Sequence, residues 1–308
     1  MSVHIYRRKR SLNSYIIEKY LLPLRGTKKA YSTPENAHQF LTQQGTENTI
    51  PYIIDKVNFS SDISERQVEG MQVFKLNDRK SPKQKVIIYL HGGGWTSQPE
   101  RYHWIFMNKL VQETNAKIIA PVYPKTPNFN YKHTYPKLLN LYKEILETVD
   151  APEQLTLMGD SAGGNICLGL AHLFKEHDLP QPKDIILLAA CVDMHFDNHL
   201  IPLYEEKDPM IASGGMDIIT SAWAGDKELH DPLMSPIYGN AEGFGKISHF
   251  IGTHDILYPD AVKFDEKLTK QGLPIDTFVF PRMNHVFVIM PIPEANAARQ
   301  KIIEIINS

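Results

Sequence analysis

The sequence predicts an α/β fold, with a mostly parallel central sheet and helices on both faces. Two observations carry that expectation. Short apolar runs at 85–90, 117–120, 155–158, 185–190, 250–252 and 277–280 alternate with segments of helical periodicity. The runs are also apolar at nearly every position, not at every second one, as expected of strands covered on both faces in a parallel sheet.

The elements follow in order. Residues 1 to about 50 read as helical and irregular. Segments 52–60 and 71–76 alternate like half-exposed strands and are expected to pair as an antiparallel hairpin at the sheet edge. Leu138, Tyr142, Ile145 and Val149 share one apolar stripe of a helix. Helices are expected at 162–177, at 259–271 with a stop at Gly272, and at 293–306. Residues 192–246 are rich in Pro, Gly, Asp and His, with one helical stretch at 210–223. The two irregular regions, about 1–50 and 192–246, are expected to cap the carboxyl ends of the strands within a single domain spanning 1–308.

Composition narrows the function. A hydrophobic content of 42% supports a packed core, and a formal net charge of −2 gives no electrostatic case for nucleic acid. The basic cluster Arg7-Arg8-Lys9-Arg10 reads as a solvated terminus, with a membrane-surface or nucleic-acid patch as the alternative. No segment approaches the ~20 apolar residues of a spanning helix, and 11–19 is too short and polar for a signal-peptide core. Cys167 and Cys191 sit inside apolar runs as small buried hydrophobes, so a reducing cytoplasm is expected.

Chemistry concentrates where the apolar runs end. The run at 155–158 leads into Gly159-Asp160-Ser161-Ala162-Gly163. A serine in a sharp strand-to-helix turn takes strained dihedrals, and the flanking glycines let strand and helix close up. The free N–H groups of the following helix favour negative charge at that point. Ser161 is the expected nucleophile, and Asp160 is expected to hold the turn through backbone hydrogen bonds. His91-Gly92-Gly93-Gly94-Trp95 follows the run at 85–90. Consecutive glycines let N–H groups point into a cavity, which suits an oxyanion hole formed by Gly92, Gly93, Gly94 and Ala162. The donors are expected to be the N–H groups of Gly93, Gly94 and Ala162, with His91 bracing the loop. The stretch lacks the ending of a P-loop and the spacing of a dinucleotide fingerprint.

Asp255 and His285 lie just past two later runs, so both arrive at the same sheet edge as Ser161. His285 is the expected general base and Asp255 the acid that orients it. Asp260 is the alternative acid, and His254 is expected to point away. Asp193, His195, Asp197 and His199 lack helical periodicity and read as a cap loop, not a metal site. Neither a metal nor a cofactor is expected.

These motifs resemble the hormone-sensitive-lipase-like family of α/β-hydrolases, the bacterial family IV esterases, over roughly 80–300. The resemblance rests on His91-Gly92-Gly93-Gly94-Trp95, Gly159-Asp160-Ser161-Ala162-Gly163-Gly164, Gly252-Thr253-His254-Asp255 and Asn284-His285. Lys207-Asp208-Pro209-Met210 is similar to its Asp-Pro cap element, and 231–239 to its Asp-Pro-x-x-Ser-Pro segment. The family's Tyr-Arg-Leu-Ala-Pro stretch stands here as Tyr123-Pro124-Lys125-Thr126-Pro127, and its Ser-Pro before the cap as Ala189-Ala190. The resemblance implies an α/β-hydrolase fold with a helical cap. It also implies a cofactor-free serine carboxylic ester hydrolase acting on small to medium acyl esters, and a possible homodimer. An aryl-formamide or amide hydrolase and a ligand-binding receptor on a hydrolase scaffold remain open alternatives.

Overall fold

The structure is a computed structural model that describes residues 2–308. It contains one nine-stranded sheet. The strands are β1 (Ser2–Ile5), β2 (Ile63–Val68), β3 (Met71–Leu76), β4 (Val86–Leu90), β5 (Lys117–Val122), β6 (Leu155–Asp160), β7 (Asp184–Leu188), β8 (Lys246–His254) and β9 (Ile275–Asn284). Their order is β1-β9-β8-β7-β6-β4-β5-β3-β2. Every neighbouring pair from β1 to β5 is parallel, and only β3 and β2 run into antiparallel pairing. This is the α/β-hydrolase fold.

Eleven α-helices accompany the sheet among the described residues: α1 (Leu12–Ile16), α2 (Leu22–Leu24), α3 (Thr27–Ala30), α4 (Pro34–Glu47), α5 (Arg101–Thr114), α6 (Tyr131–Leu146), α7 (Ala162–Glu176), α8 (Ile201–Glu205), α9 (Met216–Ala224), α10 (Tyr258–Lys270) and α11 (Pro293–Asn307). A π-helical turn, Ile17–Leu21, joins α1 to α2.

The strands are apolar throughout because each face has its own cover. All five residues of β4 are buried. Val86, Ile88 and Leu90 pack into the core beneath α6, α7 and α10. Ile87 and Tyr89 face the opposite core, built on α5 and α11. No helix is long and apolar enough to cross a membrane among the described residues.

Two expectations about the chain's first part are corrected. Residues 2–5, read as helical or irregular, form the edge strand β1 against β9. The cause is stacking across the edge: His4 lies on Phe278 at 4.6 Å between ring centroids and Tyr6 on Phe280 at 4.9 Å. The hairpin pairs β3 with Ile63–Val68, not with 52–60. The alternation in 52–60 comes instead from inward anchors. Tyr52 stacks on Trp104, its N–H donates to the Gln72 side chain at 2.8 Å, and Val57 and Phe59 pack on the α5 side.

Two segments meet beside the carboxyl ends of the strands. The Gly215 N–H before α9 donates to the Tyr31 carbonyl at 2.8 Å, and the Lys28 ammonium donates to the Asp208 carbonyl at 2.7 Å. Residues 231–246 go elsewhere. The Leu233 carbonyl accepts from Tyr135 on α6 at 2.9 Å, and the carbonyls of Ile237 and Gly239 accept from Lys267 on α10. That stretch therefore lies on the body of the fold.

Candidate active site

Parallel strands place their carboxyl ends on one edge, where ligands of open α/β sheets bind. Four segments leave that edge here: His91–Trp95 after β4, Ser161 after β6, Asp255 after β8 and His285 after β9. Ser161 and His285 both line a cavity of about 400 Å³, together with Gly93, Gly94, Trp95 and Asp160.

Ser161 stands between β6 and α7 with φ 51° and ψ −119°. A non-glycine residue there carries strain of order 1–3 kcal/mol, so its surroundings must fix it. They do so through three backbone bonds. The Ser161 N–H donates to the Leu188 carbonyl at 3.0 Å, and its carbonyl accepts from Asn165 at 3.1 Å and Cys191 at 3.2 Å. The turn closes tightly because Gly163 has no side chain: a Cβ there would lie 2.0 Å from the Leu90 carbonyl oxygen. The Ser161 hydroxyl has no hydrogen-bond partner among the described residues and faces the cavity.

The glycine loop fits closely around this turn. A Cβ on Gly92 would lie 2.3 Å from an Asp160 carboxylate oxygen and 3.0 Å from the Ser161 Cβ. Among the described residues, the N–H groups of Gly93, Gly94 and Ala162 have no protein acceptor. His91 holds the loop from behind. Its Nδ1 lies 2.7 Å from the Gly92 carbonyl, and its ring stacks on Tyr123 at 4.4 Å. Burial, with Lys125 and His103 nearby, pushes the His91 pKa well below the ordinary histidine value, so the ring is neutral. Lys125, from the stretch that departs from the family pattern, is itself buried. Its ammonium donates to the Tyr123 carbonyl at 2.9 Å, and desolvation lowers its pKa to about 7.

Asp160 differs from the expectation of backbone bonding. It is buried, and its carboxylate is held by side chains: the Tyr89 hydroxyl donates at 2.7 Å, and His103 Nε2 lies at 3.2 Å. The other His103 nitrogen accepts the Glu100 N–H at 2.9 Å. Burial alone would raise the Asp160 pKa, but His103 and Tyr89 hold it below the usual carboxylate value. A carboxylate enclosed by α5 and β4 reaches side chains more readily than the saturated backbone of the turn. The sequence carried no periodic signal for the His103 and Tyr89 partnership, because both residues sit inside regular elements.

His285 and Asp255 meet on the cavity that Ser161 also lines. His285 Nδ1 lies 2.8 Å from an Asp255 carboxylate oxygen, and the second Asp255 oxygen accepts the Leu257 N–H at 2.9 Å. Asp255 is fully buried and His285 is 4% exposed. The bond assigns the proton to Nδ1 in the neutral ring and leaves Nε2 as the acceptor. Burial disfavours charge on His285, but Asp255, Asp208 and Asp160 outweigh it, and the pKa is raised above the ordinary histidine value. Asp208 adds a further buried carboxylate. Its oxygens accept N–H groups of Met210 at 2.7 Å, Ile211 at 3.1 Å and Ile256 at 3.0 Å. Desolvation and the neighbouring Asp255 push the Asp208 pKa up to about 7.

The competing side chains are placed apart from this pair. His254 turns to Glu18 at 3.0 Å, and Asp260 accepts from Asn198 at 2.7 Å. His195 Nδ1 lies 2.8 Å from Asp193, and Tyr238 donates to the other Asp193 oxygen at 3.0 Å. Among the described residues, no group of three or more His, Cys, Asp or Glu could hold a metal ion.

Comparison with known proteins places these features in context. A family profile described as alpha/beta hydrolase fold matches residues 87–289. A triacylglycerol lipase from Mycobacterium tuberculosis is 25% identical over 223 residues, covering 72% of this chain but only 46% of that protein. An esterase from Acinetobacter venetianus is 23% identical over 227 residues, covering 73% and 75% of the two chains. The crystal structure of "a putative esterase from Staphylococcus aureus" superposes with a TM-score of 0.88 at 26% identity, covering 95% of this chain and 99% of that one. An esterase of the bacterial hormone-sensitive lipase family superposes at TM-score 0.81 and 20% identity, over 97% and 99%, a likeness of fold.

Proposed function

The chain belongs to the α/β-hydrolase family and is a carboxylic ester hydrolase; from that premise we propose that it works through an acyl-enzyme on Ser161, with His285 as base and Asp255 as its orienting acid. The observation that supports the reading best is the buried Asp255–His285 bond of 2.8 Å beside the strained Ser161, on a shared cavity. In the first step His285 Nε2 takes the Ser161 proton as the hydroxyl oxygen attacks the ester carbonyl. The carbonyl oxygen becomes negative against the N–H groups of Gly93, Gly94 and Ala162, each of which contributes roughly 3–4 kcal/mol in sites of this kind. His285 then protonates the departing alkoxide, and the acyl group remains on Ser161. Water enters, His285 takes its proton, and the same steps in reverse release the acid.

A cavity of about 400 Å³ supports small to medium acyl groups. The segments around α1–α4 and α8–α9 act as its cap. Cys167 and Cys191 are free and buried, which supports a reducing cytoplasm as the place of action. Assembly into a homodimer is carried by the family resemblance, and sedimentation velocity tests it.

Hydrolysis of p-nitrophenyl esters from acetate to laurate, by wild type and Ser161→Ala, tests the reading. Wild type cleaves the shorter esters best, and Ser161→Ala loses turnover while its unfolding midpoint stays unchanged. Efficient cleavage of N-formyl aryl amines with negligible ester cleavage would instead favour the formamidase reading. Tight binding of an ester without turnover would favour the receptor.

A further inference from the structure

The helical run from α1 through the π-turn to α2 is inside out. Its polar stripe is buried: Ser14 and Glu18 are each 1% exposed. Glu18 receives two hydrogen bonds from Arg10, at 3.3 and 2.6 Å, and His254 Nδ1 lies 3.1 and 3.0 Å from its two oxygens, while Ser11 donates to Glu294 of α11 at 2.6 and 2.9 Å. With that stripe pinned to the body of the fold, the opposite stripe faces outward. It is apolar: Leu12 is 70% exposed, Tyr20 60% and Leu24 83%, with Tyr15 and Ile16 between them. On the inward face only Leu22 and Ile17 reach the core, so the polar anchors at Ser14 and Glu18 hold the run beside them while the larger apolar stripe stays exposed.

Charge marks the same segment. Residues 1–33 hold eight lysines and arginines against one glutamate, whereas the remaining chain holds 25 against 34. The sole acid, Glu18, is buried and paired, and Arg7, Arg8, Lys9 and Lys19 are exposed. The segment also borders the catalytic cavity, which Ile17, Leu21, Leu22 and Arg25 line along with Ser161.

We propose that the 7–24 segment docks the protein on an anionic lipid surface, with Leu12, Tyr20 and Leu24 entering the acyl boundary and Arg7, Arg8, Lys9 and Lys19 on the headgroups. An exposed apolar helical stripe preceded by a cluster of cations, with Lys19 on the run itself, matches an interfacial helix. Nucleic acid would reward the cations but not the leucines. Docking in this way turns the rim formed by Leu21 and Arg25 towards the membrane, so the cavity opens onto the lipid phase. The docking does not depend on ester chemistry and is measured on protein that cannot turn over.

The test is co-sedimentation of Ser161→Ala protein with vesicles of phosphatidylcholine alone or mixed with phosphatidylglycerol. The anionic vesicles bind the protein, neutral ones bind it weakly, and added salt weakens binding. Arg7→Gln/Arg8→Gln/Lys9→Gln loses about a hundredfold in affinity for the anionic vesicles. Leu12→Ser/Tyr20→Ser/Leu24→Ser loses at least about tenfold. With Ser161 restored, both triple variants keep wild-type hydrolysis of a water-soluble ester and a wild-type unfolding midpoint. Absence of binding to anionic vesicles overturns the proposal, as does binding that neither triple variant weakens. Two further results would do the same: binding of a duplex oligonucleotide without vesicle binding, or a dimer that the apolar variant splits while vesicles are ignored.

Discussion

Two buried carboxylate–histidine pairs border the cavity that Ser161 lines, Asp255–His285 at 2.8 Å and Asp160–His103 at 3.2 Å. Both imidazoles have pKa values raised above the ordinary histidine value, in each case by a carboxylate that overcomes burial. Residue types and electrostatics therefore do not distinguish them. The second ring nitrogen does. In His103, Nδ1 is occupied by the Glu100 N–H, so the ring has nowhere to put the serine's proton. In His285 the remaining nitrogen has no partner among the described residues, and the ring lines the cavity with Ser161. Between these two pairs, the free ring nitrogen on the cavity separates the candidate base from the brace.

The largest effect that tests this difference is removal of the two rings. His285→Ala should lower kcat/KM by roughly 10⁴- to 10⁶-fold with the fold intact. His103→Ala should lower it by no more than about a hundredfold and should lose stability. Equal losses from two folded variants would break the comparison. Changing the carboxylates is the next test. Asp255→Asn should cost about 10⁴ in kcat, because the wrong tautomer faces the serine. Asp160→Asn should instead cost about 3–5 kcal/mol of stability, because it breaks a buried pair; denaturant titration reads this directly.

Smaller effects sharpen the electrostatics. His285 must be neutral to accept a proton, and its pKa is raised, so kcat/KM should fall as pH drops through a value above ~6.5. Asp208 contributes to that elevation, and Asp208→Asn should move the acid limb to lower pH while the plateau rate changes little. A merely structural role for Asp208 would lower the plateau and leave the limb in place.

Much of the sheet and the main motifs were legible because they depend on local signals. Continuous apolar runs mark strands with two covered faces, and Ser161, Asp255 and His285 each follow directly on a strand that such a run marks. The unread parts depend on contacts between distant segments. Nothing in 52–60 reveals that Tyr52 answers to Trp104 and Gln72 and not to a neighbouring strand. Residues 2–5 pair with the open edge of β9, where Phe278 and Phe280 offer rings for His4 and the following Tyr6 to stack on. His103 looks like any residue on a helix until Asp160 arrives beside it. The inside-out stripe of 12–24 was hidden for the same reason, since which face is buried depends on Glu294 and His254, far along the chain.

The most direct test of the central claim is reaction of the wild-type protein with a fluorophosphonate, followed by peptide mass spectrometry. The account predicts one equivalent of label, on the hydroxyl of Ser161, and a labelling rate that collapses in His285→Ala but not in His103→Ala. A label on another residue, or a rate indifferent to His285, would contradict it.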